Sequence, residues 1–180
     1  MMSIHIALLR AINVGGRNKV AMSDLRDLCE DLGLAGAQSL LQSGNLVFQS
    51  GRRSGTELER LLEMETAKRL GLSADFIVRS AADWDTIVAR NPLPKKASSD
   101  PSHLVVVFLK GAPPTKRLDA LRAAIRGPEV VSLYGKQLYV VYPAGIGRSK
   151  LTLPLIEKAL ATRGTGRNWN TVLKLASLCK

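Results

Sequence analysis

Two hydrophobic rhythms alternate along this chain, short apolar runs and helical spacings of three and four. Residues 4–10 form an apolar run that leads into a glycine-rich loop, the pattern of a buried strand. Leu25, Leu28, Cys29 and Leu32 then fall at i, i+3, i+4 and i+7 ahead of Gly33, which predicts a helix, with Ser23 placed to cap it. Residues 37–42 and 46–50 predict two strands joined around Ser43-Gly44-Asn45, where Gly and Asn tolerate the positive φ of a tight hairpin. Ser54 and Glu57 have capping-box spacing and open a helix that runs to about Leu70 and stops at Gly71. Residues 76–79 supply a further strand. Residues 3–80 thus spell βαββαβ, the split-βαβ order.

A short helix follows, capped by Ser80, carrying Trp84, Ile87 and Val88 and ending at Asn91-Pro92. Residues 91–102, rich in Pro, Ser and Lys, form the best linker candidate. The order then restarts. Residues 104–109 are continuously apolar, and Leu118, Leu121 and Ile125 mark a helix broken by Gly127-Pro128. Residues 130–133 and 137–142 predict a hairpin over Tyr134-Gly135-Lys136. A helix begins near Leu153, with Pro154 tolerated in its first turn, and a last helix spans residues 169–178. Residues 103–160 spell βαββα, a second copy of the plan that lacks its closing strand. The expected domains are 1–90 (βαββαβ plus a short helix) and 103–180 (βαββα with a C-terminal helix), joined by 91–102.

Composition adds a sign to this plan. The 180 residues hold 26 Lys and Arg against 15 Asp and Glu, a net charge of +11. Residues 1–90 hold 11 of each sign, so the whole excess lies in residues 91–180. Such asymmetry points to a negatively charged partner, although scattered lysines also serve solubility. A chain that is 46% apolar can bury a core without metal or disulfide. No run approaches a membrane span, and the apolar start lacks the basic region and cleavage site of a signal peptide, so a cytosolic protein is expected. Cys29 and Cys179 stand far apart, with Cys29 on an apolar helix face, which favours a buried thiol over a disulfide. With His5 and His103 the only histidines, no metal site and no cofactor are expected.

Three loops could carry chemistry. Asn13-Val14-Gly15-Gly16-Arg17-Asn18-Lys19 joins a strand to a helix. Adjacent glycines let amides converge on an anion, and Arg10, Arg17 and Lys19 add charge. Neither a P-loop nor a dinucleotide fingerprint is present, and two glycines also serve plain backbone geometry. Gly145-Ile146-Gly147-Arg148-Ser149-Lys150 again joins a strand to a helix, with a base on each side of a hydroxyl. Arg163-Gly164-Thr165-Gly166-Arg167-Asn168-Trp169-Asn170 offers Arg167, whose planar fork suits phosphate or carboxylate, and Asn168, which can cap the last helix. Trp169 keeps helical spacing with Val172, Leu173 and Ala176 and reads as core. Catalytic signals are thin: His5 alternates inside a strand, His103 borders one, neither lies in these loops, and there is no GxSxG elbow.

At these loops the chain resembles the bacterial Domain-of-Unknown-Function-1697 family. The resemblance rests on Ala7-Leu8-Leu9-Arg10-Ala11-Ile12-Asn13-Val14-Gly15-Gly16-Arg17-Asn18-Lys19, Gln42-Ser43-Gly44-Asn45, Gly147-Arg148-Ser149-Lys150-Leu151 and Arg167-Asn168-Trp169-Asn170-Thr171-Val172. Two positions depart from the family pattern, Ala11, where glycine is usual, and Ala21, where proline is usual. The resemblance implies an α+β fold of two ferredoxin-like halves, here with a C-terminal helical extension, and it implies no activity. It suggests that the four stretches share one surface.

The expected function is binding of a phosphate-bearing ligand, a nucleotide or nucleic acid. Gly15 and Gly16 would cradle the anion, and Arg10, Arg17, Lys19, Arg148, Lys150 and Arg167 would neutralise it. Asn13, Asn45, Ser149, Asn168 and Asn170 would direct hydrogen bonds. An aromatic content of 4% speaks against extensive base stacking. An enzyme acting on a small anionic metabolite and a basic protein-interaction module are the alternatives.

Overall fold

The computed structural model describes residues 1–12 and 19–180, and the chain divides into two compact units. The first unit comprises Met1–Asp85 with Leu175–Lys180, and the second Thr86–Lys174. The boundary therefore falls inside a helix, ahead of the proline-rich segment.

In the first unit the order is β1 (Ser3–Leu9), α1 (Met22–Asp31), β2 (Ala35–Leu40), β3 (Asn45–Ser50), α2 (Gly55–Leu70) and β4 (Phe76–Ser80). The four strands pair antiparallel in the order β2-β3-β1-β4. The register sets Ala7 opposite Leu46 and Val78, so alternate residues of three strands share a face. That face gathers Ala7, Leu9, Leu46, Phe48, Phe76 and Val78 with Leu25 and Cys29 of α1 and Leu58 and Leu62 of α2. The opposite face is buried too, through Ile6, Leu8, Val47 and Ile77. His5, on the α-helical face opposite Phe48, stacks on it with ring centroids 6.1 Å apart, and burial lowers its pKa.

Local chemistry explains the boundaries. The Ser54–Glu57 capping box forms in both directions, and Gly71 ends α2 at φ 62°. Ser23, by contrast, is not the cap of α1. The helix starts one residue earlier, at Met22, which is buried, and Ala21 occupies the N-cap without a side-chain hydrogen bond. β4 is an edge strand whose outward amides would be left unsatisfied. Glutamates of α2 meet them: Glu63 Oε1 accepts from the Phe76 N–H and Glu59 Oε1 from the Val78 N–H, each at 2.9 Å.

α3 (Ala81–Ala89) crosses the unit boundary, its start held by Ser80 and Asp83 in reciprocal hydrogen bonds. The segment expected as linker contains a short helix, α4 (Pro94–Ser99), and a 3₁₀ turn, Pro101–His103. Then come β5 (Leu104–Leu109), α5 (Thr115–Ala124), β6 (Val130–Tyr134), β7 (Gln137–Val141), α6 (Leu153–Leu160), β8 (Gly164–Asn168) and α7 (Trp169–Ser177). The second sheet has the order β6-β7-β5-β8, the same plan as the first.

β8 corrects the expectation that the second half lacks its closing strand. Gly164-Thr165-Gly166-Arg167-Asn168 has no alternating apolar pattern, yet it pairs with β5 from Val105↔Asn168 to Leu109↔Gly164. Its glycines are sites of close approach. A Cβ on Gly164 would lie 3.0 Å from Leu109, Phe108 and Val107 atoms, and one on Gly166 would lie 3.2 Å from Val105. The first amide of β8 is satisfied by α6, through Gly164 N–H to Glu157 Oε1 at 3.1 Å, as β4 is by α2. One face of this sheet packs Val105, Val107, Leu138 and Val140 against Leu121 of α5 and Ile156 and Leu160 of α6. On the other face the Tyr139 hydroxyl donates to the Ile87 carbonyl at 2.8 Å. The molecule is therefore an α+β protein of two ferredoxin-like halves with a C-terminal helix.

Candidate functional site

The residues singled out in the sequence fall into two sets, one in each unit. Asn13, Gly15, Gly16 and Arg17 lie outside the described residues. Of the rest of the first set, Arg10, Lys19 and Asn45 belong near one end of the first sheet. Leu9 N–H donates to Gly44 O at 2.9 Å and Arg10 N–H to Asp75 O at 3.0 Å, so the end of β1, the β2–β3 hairpin and the start of β4 meet there.

Two of these residues, together with neighbouring Gly44, have duties in the fold. The Arg10 guanidinium pairs with Asp75 at 3.7 Å. Asn45 is fully buried, and its Nδ2 donates to Leu40 O at 2.7 Å and Ser43 Oγ at 3.0 Å, which locks the hairpin. Gly44 takes φ 83° and approaches Leu9 and Ile12 too closely for any side chain. Ala11 has φ 55°, in the left-handed region that glycine adopts without a Cβ penalty. Ala21 has φ −75°, a value that proline adopts readily. Lys19 remains exposed. It lines a shallow cleft of about 550 Å³ with Asp24, Gln42 and Leu70, a surface of mixed charge. A neighbouring cleft of about 530 Å³ holds Arg26, whose guanidinium donates to Ser39 Oγ.

The second set sits at one end of the second sheet. Val105 pairs with Asn168 and Leu104 with Val141, so the end of β8, the start of β5 and the loop after β7 are neighbours. That loop turns at Gly145 (φ 83°) into a 3₁₀ turn, Ile146–Arg148. Arg148 and Lys150 are exposed. Ser149 is held in the fold, since its hydroxyl donates to Glu129 Oε1 and accepts from Leu151 N–H at 2.9 Å. Asn168 is the cap of α7, accepting from Thr171 N–H at 2.9 Å, and Asn170 is exposed on the first turn of that helix.

Arg167 pairs with Val106 and is buried on the sheet face that carries Tyr139. Its Nη1 donates to Thr165 Oγ1 and Gly166 O, both at 2.8 Å, and burial pushes its pKa down to about 10. Exposed cations at this end include Arg148 and Lys150, and Lys95 and Lys96 stand on α4, ahead of the turn into β5.

Sequence reasoning passed over a polar pair at the same sheet end. His103 Nδ1 lies 2.7 Å from Asp100 Oδ2, and Ser102 Oγ donates to Asp100 Oδ1 at 3.1 Å. The carboxyl of Asp100 is held below its ordinary range, chiefly by the hydrogen bond from His103. A spacing of three ahead of a strand, Asp100-Pro101-Ser102-His103, was the available signal. Among the described residues no cluster of three or more His, Cys, Asp or Glu side chains could hold a metal ion, and no helix is long and apolar enough to cross a membrane.

Comparison with known proteins agrees with this architecture. A family model described as "Protein of unknown function (DUF1697)" matches residues 2–139, a span that includes the first two of the four motif stretches. Among solved structures, the chain is similar to the conserved bacterial protein SP0830 from Streptococcus pneumoniae, at 25% identity over 100% of both chains with a TM-score of 0.79. No curated protein matches.

Proposed function

We propose a function for a chain that belongs to the family described as "Protein of unknown function (DUF1697)": it binds a phosphate-bearing ligand, a nucleotide or a nucleic acid, on the basic surface of its second unit. The observation that carries this reading is the partition of charge. Thr86–Lys174 holds 15 Lys and Arg against Asp100, Asp119, Glu129 and Glu157, whereas the first unit is neutral. A charge so confined raises the local concentration of anions and steers their approach. Arg148 and Lys150 give it a focus, since both are exposed on one loop while neighbouring Ser149 is fixed to Glu129. The burial of Trp169 and Tyr139 supports recognition through phosphates rather than stacked bases.

The test is binding of a fluorescent single-stranded oligonucleotide and of a nucleoside triphosphate across a range of salt. For an extended backbone, log affinity falls against log salt with a slope of about −0.7 per phosphate neutralised. A single nucleotide on Arg148 and Lys150 gives a shallow slope. Absence of binding to either at low salt would refute the proposal.

A further inference from the structure

We infer that His103, anchored by Asp100, is a proton-dependent contact for the ligand's phosphate, which forms one subsite with the loop that carries Arg148 and Lys150. The inference rests on the phosphate-binding reading and adds a residue and a chemical condition to it.

The placement of the ring comes first. His103 ends the 3₁₀ turn before β5, and its carbonyl accepts from Tyr142 N–H at 2.9 Å. This bond ties the turn to the loop after β7. A Cβ on Gly145 would lie 3.9 Å from His103 Nε2, so that nitrogen lies against the backbone of the basic loop. The side chain is 40% exposed, open to a ligand from solvent.

The proton comes next. An ionised carboxylate only accepts hydrogen bonds, so Nδ1 of His103 carries a hydrogen whether the ring is neutral or charged. The proton that comes and goes is the one on Nε2. In the neutral ring Nε2 presents a lone pair, which repels a phosphate oxygen. In the charged ring it presents N–H and positive charge, a charge-assisted donor. The pair therefore binds an oxyanion only after taking up a proton.

The surrounding charges agree in sign with an anion site. Within its own segment the ring faces Asp100. α4, packed on the turn, carries Lys95 and Lys96, and Lys96 acts on the Asp100 charge. β8, also packed on it, carries Arg167, which is turned inward onto Thr165 and Gly166. The loop after β7 carries Arg148 and Lys150. Two carboxylates also stand here: Asp100, occupied by the ring and by Ser102, and Glu129, which accepts from Ser149 of the basic loop.

The experiment uses an oligothymidine without terminal phosphates, whose diesters and bases do not titrate between about pH 5.5 and pH 8. Its affinity for the parent, His103→Gln and Asp100→Asn is measured across that range at constant salt. The parent should gain about tenfold as pH falls, the worth of one charge-assisted contact. His103→Gln, which does not titrate, should show a flat profile. Asp100→Asn, which removes the carboxylate that anchors the ring, should reduce the gain. A His103→Gln profile parallel to the parent's would overturn the inference and leave the phosphate reading standing. So would equal weakening of His103→Gln at all pH values, the mark of a structural role. Failure of the parent to bind at any pH would overturn both.

Discussion

Gly44 lies in one of the stretches that mark the family, and replacing it with alanine separates architecture from recognition. At φ 83° a Cβ costs about 1–2 kcal/mol from backbone sterics alone. That Cβ would also lie 2.6 Å from Ile12 Cδ1 and 2.8 Å from Leu9 Cβ. The Ile12 methyl can swing aside, but Leu9 Cβ cannot, because Leu9 N–H is bonded to Gly44 O at 2.9 Å. Overpacking of this kind adds about 1–3 kcal/mol, so Gly44→Ala should destabilise by about 2–5 kcal/mol. Two other glycines calibrate the figure. Gly36 has φ 64° with nothing within 4 Å of its Cβ position, so Gly36→Ala carries the backbone cost alone. Gly51 has neither feature, and Gly51→Ala should change stability by less than about 0.5 kcal/mol. Urea unfolding followed by tryptophan fluorescence reads all three, with buried Trp84 reporting on the first unit. If Gly44→Ala melts with Gly36→Ala, the close approach contributes nothing and the packing argument fails.

Ala11→Gly removes a Cβ from a residue at φ 55° and should raise stability by about 1 kcal/mol, against which a lowered urea midpoint would count. Glu59→Ala strands the buried Val78 amide of the β4 edge and should cost about 1–3 kcal/mol, with Glu59→Gln, which keeps an acceptor, costing less; equal losses would show that the hydrogen bond is not what matters. Burial pushes the Cys29 thiol up to about 12, so the folded state resists ionisation that the unfolded chain undergoes near 9. The unfolded state then holds fewer protons, and stability falls as pH rises from about 9 towards 12, by up to about 1.4 kcal/mol per pH unit from this group. Comparing urea midpoints of the parent and Cys29→Ala at pH 8 and pH 10 checks it, since the parent should lose more.

Elements were legible where side chains alone decide them. β5 is apolar at every position from Leu104 to Leu109 and is buried on both faces, and Ser54 with Glu57 form the capping box their spacing demands. β8 was illegible because its pairing depends on absent side chains: Gly164 and Gly166 read as loop, while their function is to let the strand lie against β5. Ser23 misled because a buried Met22 draws the helix start past the better cap. The candidate site was legible as charge and illegible as direction. Nothing in the sequence shows that Asn45 turns inward to Leu40 and Ser43 or that Arg167 is buried, and only a spacing of three hinted that His103 closes on Asp100.

The most direct measurement is oligonucleotide affinity at low salt for the parent, Arg148→Ala/Lys150→Ala, and Arg52→Ala/Arg53→Ala, whose removed charges are exposed in the neutral first unit. The account predicts that the first double variant loses affinity and flattens the salt dependence by about two phosphate contacts, while the second matches the parent. Equal losses in both variants, or none in either, would contradict it.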